Sequence, residues 1–284
     1  MSDTGNHTGN QSGEKAGTRR LIIHCGVQKT ASTSFHHVVE KNLDTLSPHL
    51  EILTPRKASL TRALGRAAGL FSLNPAQHEA EFVRLISEMR DYLLQDTRPC
   101  LISHENLPGA MLGRQGVVTL YPQLPRILAL LDQHLAPFTP EYVFYTRDMM
   151  AWKSSVYNQA VKSDRYAGTR DGFLRETAAC GDWDSLRNTV SDHAGAARTT
   201  FFRMEDEAGL PARQLLEFAG IAPAVLEGLK PLAARRNQSL NAGSLEFMRQ
   251  INAAQLDVAA HREMARMVQH NQPLFSNEQV VHSD

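Results

Sequence analysis

LIIHCGVQKTASTSFHHVV, residues 21–39, decides how this chain is read. Leu21, Ile22 and Ile23 make a short apolar run of the kind that fills a buried strand. Gly26 then permits a sharp turn, and the stretch from Ser34 to Lys41 reads as a helix. The loop between them carries the full charge of Lys29 and the hydroxyls of Thr30, Ser32, Thr33 and Ser34. In an open parallel α/β sheet such a loop lies beyond the carboxyl end of its strand. There a helix N-terminus presents unpaired N–H groups and a partial positive charge. Each feature favours an anion.

Further runs of β-branched and aromatic residues occur at 51–54, 100–103, 141–146 and 199–203, and the first extends over 20–25. Amphipathic stretches lie between and after them, at 33–46, 58–70, 75–96, 118–135, 148–163, 169–179, 184–194, 207–219, 243–255 and 258–269. Strands alternating with helices predict an α/β three-layer sandwich. Its central, mainly parallel sheet of four or five strands would be covered on both faces. From about residue 204 the pattern is helical, which predicts a C-terminal helical layer on one domain spanning 19–284. Residues 1–18 are polar and rich in Gly, Ser, Thr and Asn, and read as a disordered tail.

Composition narrows the function classes. The 284 residues hold 30 basic and 30 acidic side chains, so no net charge draws the chain to nucleic acid or to an anionic membrane. No apolar stretch approaches the roughly 20 residues of a membrane span, and no secretory h-region is present, so a cytoplasmic protein is expected. Cys25, Cys100 and Cys180 share no metal-binding spacing and read as buried structural thiols. His36 and Glu40 share a helix face, but a third ligand at a recognisable spacing is missing and no metal is expected. The expected partner is a small molecule.

A Walker A loop places its lysine directly before the hydroxyl that binds Mg²⁺. Counting from Gly26, the lysine here comes three positions too early. A kinase using ATP or GTP is therefore the weaker alternative, as is a nucleotide-binding protein without catalysis.

A second strand, ending Tyr142-Val143-Phe144-Tyr145-Thr146, runs into Arg147-Asp148 and then a helix with Ser155-Val156-Tyr157-Asn158-Gln159. Arg147 stands at the strand's end and Ser155 about two turns along the helix, so both can reach one phosphate. Together with Ile23-His24-Cys25-Gly26-Val27-Gln28-Lys29-Thr30-Ala31-Ser32-Thr33-Ser34-Phe35, this pair resembles the family of sulfotransferases that use 3′-phosphoadenylyl sulfate (PAPS), in its bacterial and carbohydrate-type form. That family reads I-H-x-G-x-x-K-T-G-T-T-S-L at its first loop and an arginine with a serine eight positions later at its second. Here Ala31 replaces a glycine, Ser32 a threonine, Phe35 a leucine and Met149 a proline.

The resemblance implies a P-loop-like fold and transfer of the sulfuryl group of PAPS to a hydroxyl, on a carbohydrate or another small molecule. It implies that Gly26, Gln28, Lys29, Thr30, Ala31, Ser32, Thr33 and Ser34 cradle the 5′-phosphosulfate, that Lys29 faces the leaving group, and that Arg147 and Ser155 hold the 3′-phosphate. Ser103-His104-Glu105-Asn106-Leu107 resembles the family's S-x-E-x-L segment, which makes Glu105 the base, with His104 the second candidate because an imidazole titrates near neutrality. Arg235-Arg236-Asn237-Gln238-Ser239 is similar to a late segment that closes over the nucleotide. Equally, it reads as a basic turn with Ser239 capping the next helix. His36 or His37 is expected to line the acceptor cleft, and Trp152 and Trp183 to serve the core. Ala31 predicts a backbone with φ < 0 where the family has glycine.

Overall fold

The computed structural model describes residues 19–55, 59–232 and 239–276. Five strands form its sheet: β1 (Leu21–His24), β2 (Glu51–Leu53), β3 (Cys100–Ser103), β4 (Glu141–Thr146) and β5 (Thr199–Arg203). Their order is β2-β3-β1-β4-β5, and every neighbouring pair is parallel. All five match the apolar runs read from the sequence. β1 lies at the centre and is buried along its whole length, which is why Leu21-Ile22-Ile23 is apolar on both sides of the pleat.

Twelve helices are described. α1 (Ser32–Lys41) and α2 (Leu43–Leu46) follow β1; α3 (Ser59–Leu73) and α4 (Pro75–Leu93) follow β2; α5 (Leu124–His134) precedes β4. α6 (Met149–Ser163), α7 (Arg170–Glu176) and α8 (Trp183–Ala194) link β4 to β5. α9 (Arg213–Phe218), α10 (Pro223–Glu227), α11 (Ala242–Ala253) and α12 (Val258–His270) complete the described chain.

Alternating strand residues sort the helices into two outer layers. Ile22, Leu101, Val143 and Tyr145 pack with Phe35, Val39 and Leu46 and with Leu215 and Leu216 of α9. On the opposite face Ile23, Ile102, Tyr142 and Phe144 pack with Phe71, Phe82, Leu128 and Trp152, from α3, α4, α5 and α6. Each fully buried Phe, Ile or Leu contributes about 2 kcal/mol, so the sandwich is held mainly by these two layers. α11 adds to the second layer: Asn252 donates to the carbonyls of Val161 (2.8 Å) and Tyr166 (2.9 Å).

Register ends β1 and β3 together and carries β4 on to Thr146, past the residue that faces the end of β1. His24 pairs with Ser103 on one side and Val143 on the other, so the loops leaving β1, β3 and β4 emerge at the same end of the sheet. The chain leaves β1 toward β2 and leaves β4 toward β5, which makes the β1/β4 boundary the crevice where such sheets bind ligands.

Three helix readings change. The stretch 33–46 divides at Asn42, whose amide donates to the carbonyls of Val38 (2.9 Å) and Lys230 (3.1 Å) and turns the chain. The helix expected from 118 starts at Leu124, because Tyr121 takes φ 43° and Pro122 follows it. The helix expected from 207 starts at Arg213, where the Glu207 carboxylate accepts the Arg213 N–H at 2.8 Å. All three cysteines are buried free thiols; burial pushes Cys100 up to about 12 and Cys25 higher still. Among the described residues, no helix is long and apolar enough to cross a membrane.

Candidate anion-binding site

The loop after β1 is built on two left-handed residues. Lys29 has φ 70° and Ala31 has φ 68°, ψ 15°, directly before the first helical residue, Ser32. The expectation of φ < 0 at Ala31 is therefore wrong: the loop keeps the backbone a glycine would give it and bears the strain of a Cβ there. A left-handed residue followed by helical ones turns successive N–H groups toward one concavity, an anion-binding nest at the N-terminus of α1. Gly26 lets the chain close on itself, since a Cβ there would stand 2.4 Å from Ser32 Oγ. That hydroxyl is buried and has no hydrogen-bond partner.

The other loop residues divide between facing the cradle and anchoring it. Thr30 Oγ1 donates to the carbonyl of Val27 at 2.5 Å, so its hydroxyl is turned inward. Thr33 and Ser34, half-buried, sit in the first turn of α1. Gln28, read as a ligand contact, has a structural side chain. Its Oε1 accepts from Tyr121 (2.6 Å) while its Nε2 donates to Gly109 (3.0 Å) and Asn106 (3.3 Å). Only its main chain remains available to the cradle, and its carbonyl already accepts Trp152 Nε1 at 2.8 Å.

Arg147 leaves the end of β4 beside this loop, with Nη1 donating to the Lys29 carbonyl at 3.3 Å and Nε buried without a partner. Asp148 caps α6 by accepting the Ala151 N–H at 2.7 Å, a start that does without proline. Ser155, Gln159 and Lys162 follow at spacings of four and three and so share a stripe of α6. Gln159 Oε1 accepts Lys29 Nζ at 3.3 Å. Lys29 has its pKa lowered by burial, then by the like charges of Lys162 and Arg147. None of these three cations has a carboxylate partner among the described residues.

Sequence reasoning gave no site role to Gln159 and Lys162, and it placed Trp152 and Trp183 in the core, where they pack, without foreseeing that they also hold the two loops. Gln159 and Lys162 were legible as the positions four and seven beyond Ser155. The two tryptophans carried a weaker signal, an indole N–H that must find an acceptor when buried. Trp152 holds the β1 loop, and Trp183 Nε1 holds the Arg147 carbonyl at 2.7 Å; the rings meet edge to face at 5.0 Å.

The loop after β3 is tied to the cradle through Gln28 and Asn106. His104 Nδ1 accepts the Asn106 N–H at 3.0 Å, which puts the ring proton on Nε2. Burial lowers the pKa of His104, Glu105 opposes that and Arg62 adds to it, so the ring is neutral at pH 7 and its basic lone pair is engaged. Glu105 Oε2 lies 3.8 Å from His104 Nδ1 and has no hydrogen bond.

Beneath the loops Ser103 Oγ joins His24 Nδ1 (2.8 Å) and His36 Nε2 (2.9 Å), with burial pushing His24 down to about 3. His36 thus clamps α1 to the sheet and does not line a cleft. His37 bonds back to the Thr33 carbonyl (2.8 Å). Arg235 and Arg236 lie outside the described residues; Ser239 is described, and α11 is capped by Asn241 instead, whose side chain accepts the Ser244 N–H at 2.8 Å. Among the described residues no group of three His, Cys, Asp or Glu is placed to hold a metal. No protein-family model and no curated protein matches the chain.

Proposed function

We propose that the protein is a PAPS-dependent sulfotransferase with a P-loop-like fold, moving a sulfuryl group to a hydroxyl of a carbohydrate or other small acceptor. The observation that carries this reading is the set of three cations, Lys29, Arg147 and Lys162, that have no carboxylate partner among the described residues, beside the αL nest at the N-terminus of α1. The chemistry of these donors suits PAPS. The nest, the unsatisfied Ser32 hydroxyl and Lys29 offer N–H, O–H and ammonium donors to a phosphosulfate. The unsatisfied Arg147 Nε and the stripe from Ser155 suit a phosphate dianion.

In this mechanism the acceptor oxygen forms its bond to sulfur as the bond from sulfur to the 5′-phosphate oxygen breaks. The acceptor proton passes to a carboxylate or to solvent, and adenosine 3′,5′-bisphosphate leaves. Lys29 stabilises the negative charge that develops on the departing phosphate oxygen. Glu105 is the better supported base, because His104 would have to give up the Asn106 N–H to accept a proton.

The test measures binding of adenosine 3′,5′-bisphosphate by calorimetry without magnesium, beside a radiolabelled sulfate-transfer screen over acceptor classes. Lys29→Ala and Arg147→Ala each weaken binding by about tenfold or more, the loss of a charge-assisted contact. Magnesium-dependent ATP binding, or variants that bind the bisphosphate as tightly as the parent, would overturn the assignment.

A further inference from the structure

On the same side of the sheet as Lys29, a groove of about 510 Å³ runs between α3 and α4, starting at Pro55 just beyond β2. Its floor is apolar, with Ala67 and Leu85, and Arg62, Arg66 and His78 line it. Arg62 and Arg66 are exposed, and neither makes an ion pair among the described residues. Arg62 Nε donates to the Pro55 carbonyl at 2.9 Å, which directs the guanidinium and leaves its terminal nitrogens without a partner among the described residues. The one carboxylate among the described residues of the groove, Glu81, is engaged by Arg84 through two hydrogen bonds of 2.7 and 2.8 Å.

The two arginines belong to the helix stripe Arg62, Gly65, Arg66, Gly69, at spacings of three, one and three. The glycines bring that stripe against the loop after β3. A Cβ at Gly65 would stand 2.2 Å from His104 Cδ2, and one at Gly69 would stand 3.9 Å from Asn106 Cβ. Arg62 and Arg66 therefore stand between the groove and the segment that carries Glu105. A ligand anchored on them would hold its neighbouring atoms beside the candidate base.

We infer that this groove binds the acceptor, and that the acceptor is an anion: a hydroxyl compound carrying a carboxylate, held by the Arg62 and Arg66 forks with its apolar face on the groove floor. This rests on the sulfuryl-transfer reading above and adds the class of acceptor to it. The planar guanidinium pairs with a carboxylate through two parallel N–H donors, and the apolar floor lowers the local dielectric around that pair.

The test titrates p-nitrophenyl β-D-glucuronide and p-nitrophenyl β-D-glucoside into the protein with adenosine 3′,5′-bisphosphate present. These two probes differ in the carboxylate. The glucuronide binds at least about tenfold tighter, and the preference disappears in the Arg62→Gln/Arg66→Gln variant. Equal binding of the two probes, binding of neither, or a preference that survives in the variant overturns the inference. Bisphosphate affinity is measured in the same samples and is unchanged by the double substitution. Loss of that affinity in the parent protein would count against sulfuryl transfer itself, whereas a missing glucuronide preference beside intact bisphosphate binding would count against the anionic acceptor alone.

Discussion

The two ends of the sheet treat positive charge in opposite ways. Where the strands begin, Arg19 pairs with Glu51, Arg20 with Glu141, Arg98 with Asp96 and Arg198 with Asp132. Where β1 and β4 end, the like charges of Lys162 and Arg147 add to burial in lowering the pKa of Lys29. The chain has as many acidic as basic residues, so the second arrangement is not a shortage of carboxylates. Charge that the protein neutralises for itself serves the fold; under the proposed function, the cations left without a carboxylate among the described residues await a ligand that brings the counter-charge.

The contrast is broken or sharpened most strongly by removing one arginine from each end. Arg19 is buried, and its guanidinium bonds the Glu51 carboxylate and the carbonyls of Leu93 (3.3 Å) and Asp96 (3.2 Å). Arg19→Met strands that acceptor set, and urea unfolding should show a loss of about 3 kcal/mol. Arg147→Ala should leave unfolding unchanged or raise the midpoint, because it relieves Lys29 of a like charge. Equal losses at the two ends would erase the distinction between structural and ligand-directed cations.

A smaller effect is expected at Ala31. A left-handed Ala costs about 1 kcal/mol relative to glycine, and nothing at the N-terminus of α1 offsets it, since Ala31 has no side-chain cap to offer. Ala31→Gly should therefore stabilise the protein by about 1 kcal/mol in urea while bisphosphate binding is retained. A destabilised variant would mean that the loop conformation costs nothing and that its flexibility in the unfolded chain dominates.

Ala31 also marks the boundary of what the sequence could disclose. The five strands were legible because their apolar, β-branched runs are set by local pattern, and β1 announces its central place by being apolar on both faces. That Lys29 and Arg147 come together was legible because each stands at a fixed short distance from a strand end, and the structure joins them through Arg147 Nη1 and the Lys29 carbonyl. The backbone at Ala31 was not, because an unfavourable conformation is imposed by the surrounding structure against the residue's own preference. Nor was Gln28, whose side chain is claimed by Tyr121, a residue 93 positions away that no local pattern connects to it. The same holds for His36, which is drawn to Ser103 across the layer.

The smallest expected effect follows from Lys29 and runs against the usual direction for a lysine that gains a partner. Its folded pKa lies below the ordinary value of 10.5, through burial first and then the charges of Lys162 and Arg147. Between that lowered value and 10.5 the unfolded chain binds more protons than the folded one, so stability must rise with pH through this window. Lys29→Met removes the effect while leaving the buried tyrosines and thiols that titrate in the same range. The difference in unfolding free energy between parent and variant, measured at pH 8, 9 and 10, should shift in the parent's favour as pH rises. Adenosine 3′,5′-bisphosphate should cancel the shift, because a phosphate beside Lys29 restores the proton. A difference that is flat or moves the other way would mean that Lys29 is compensated within the protein. The cationic cradle would then lose its strongest member.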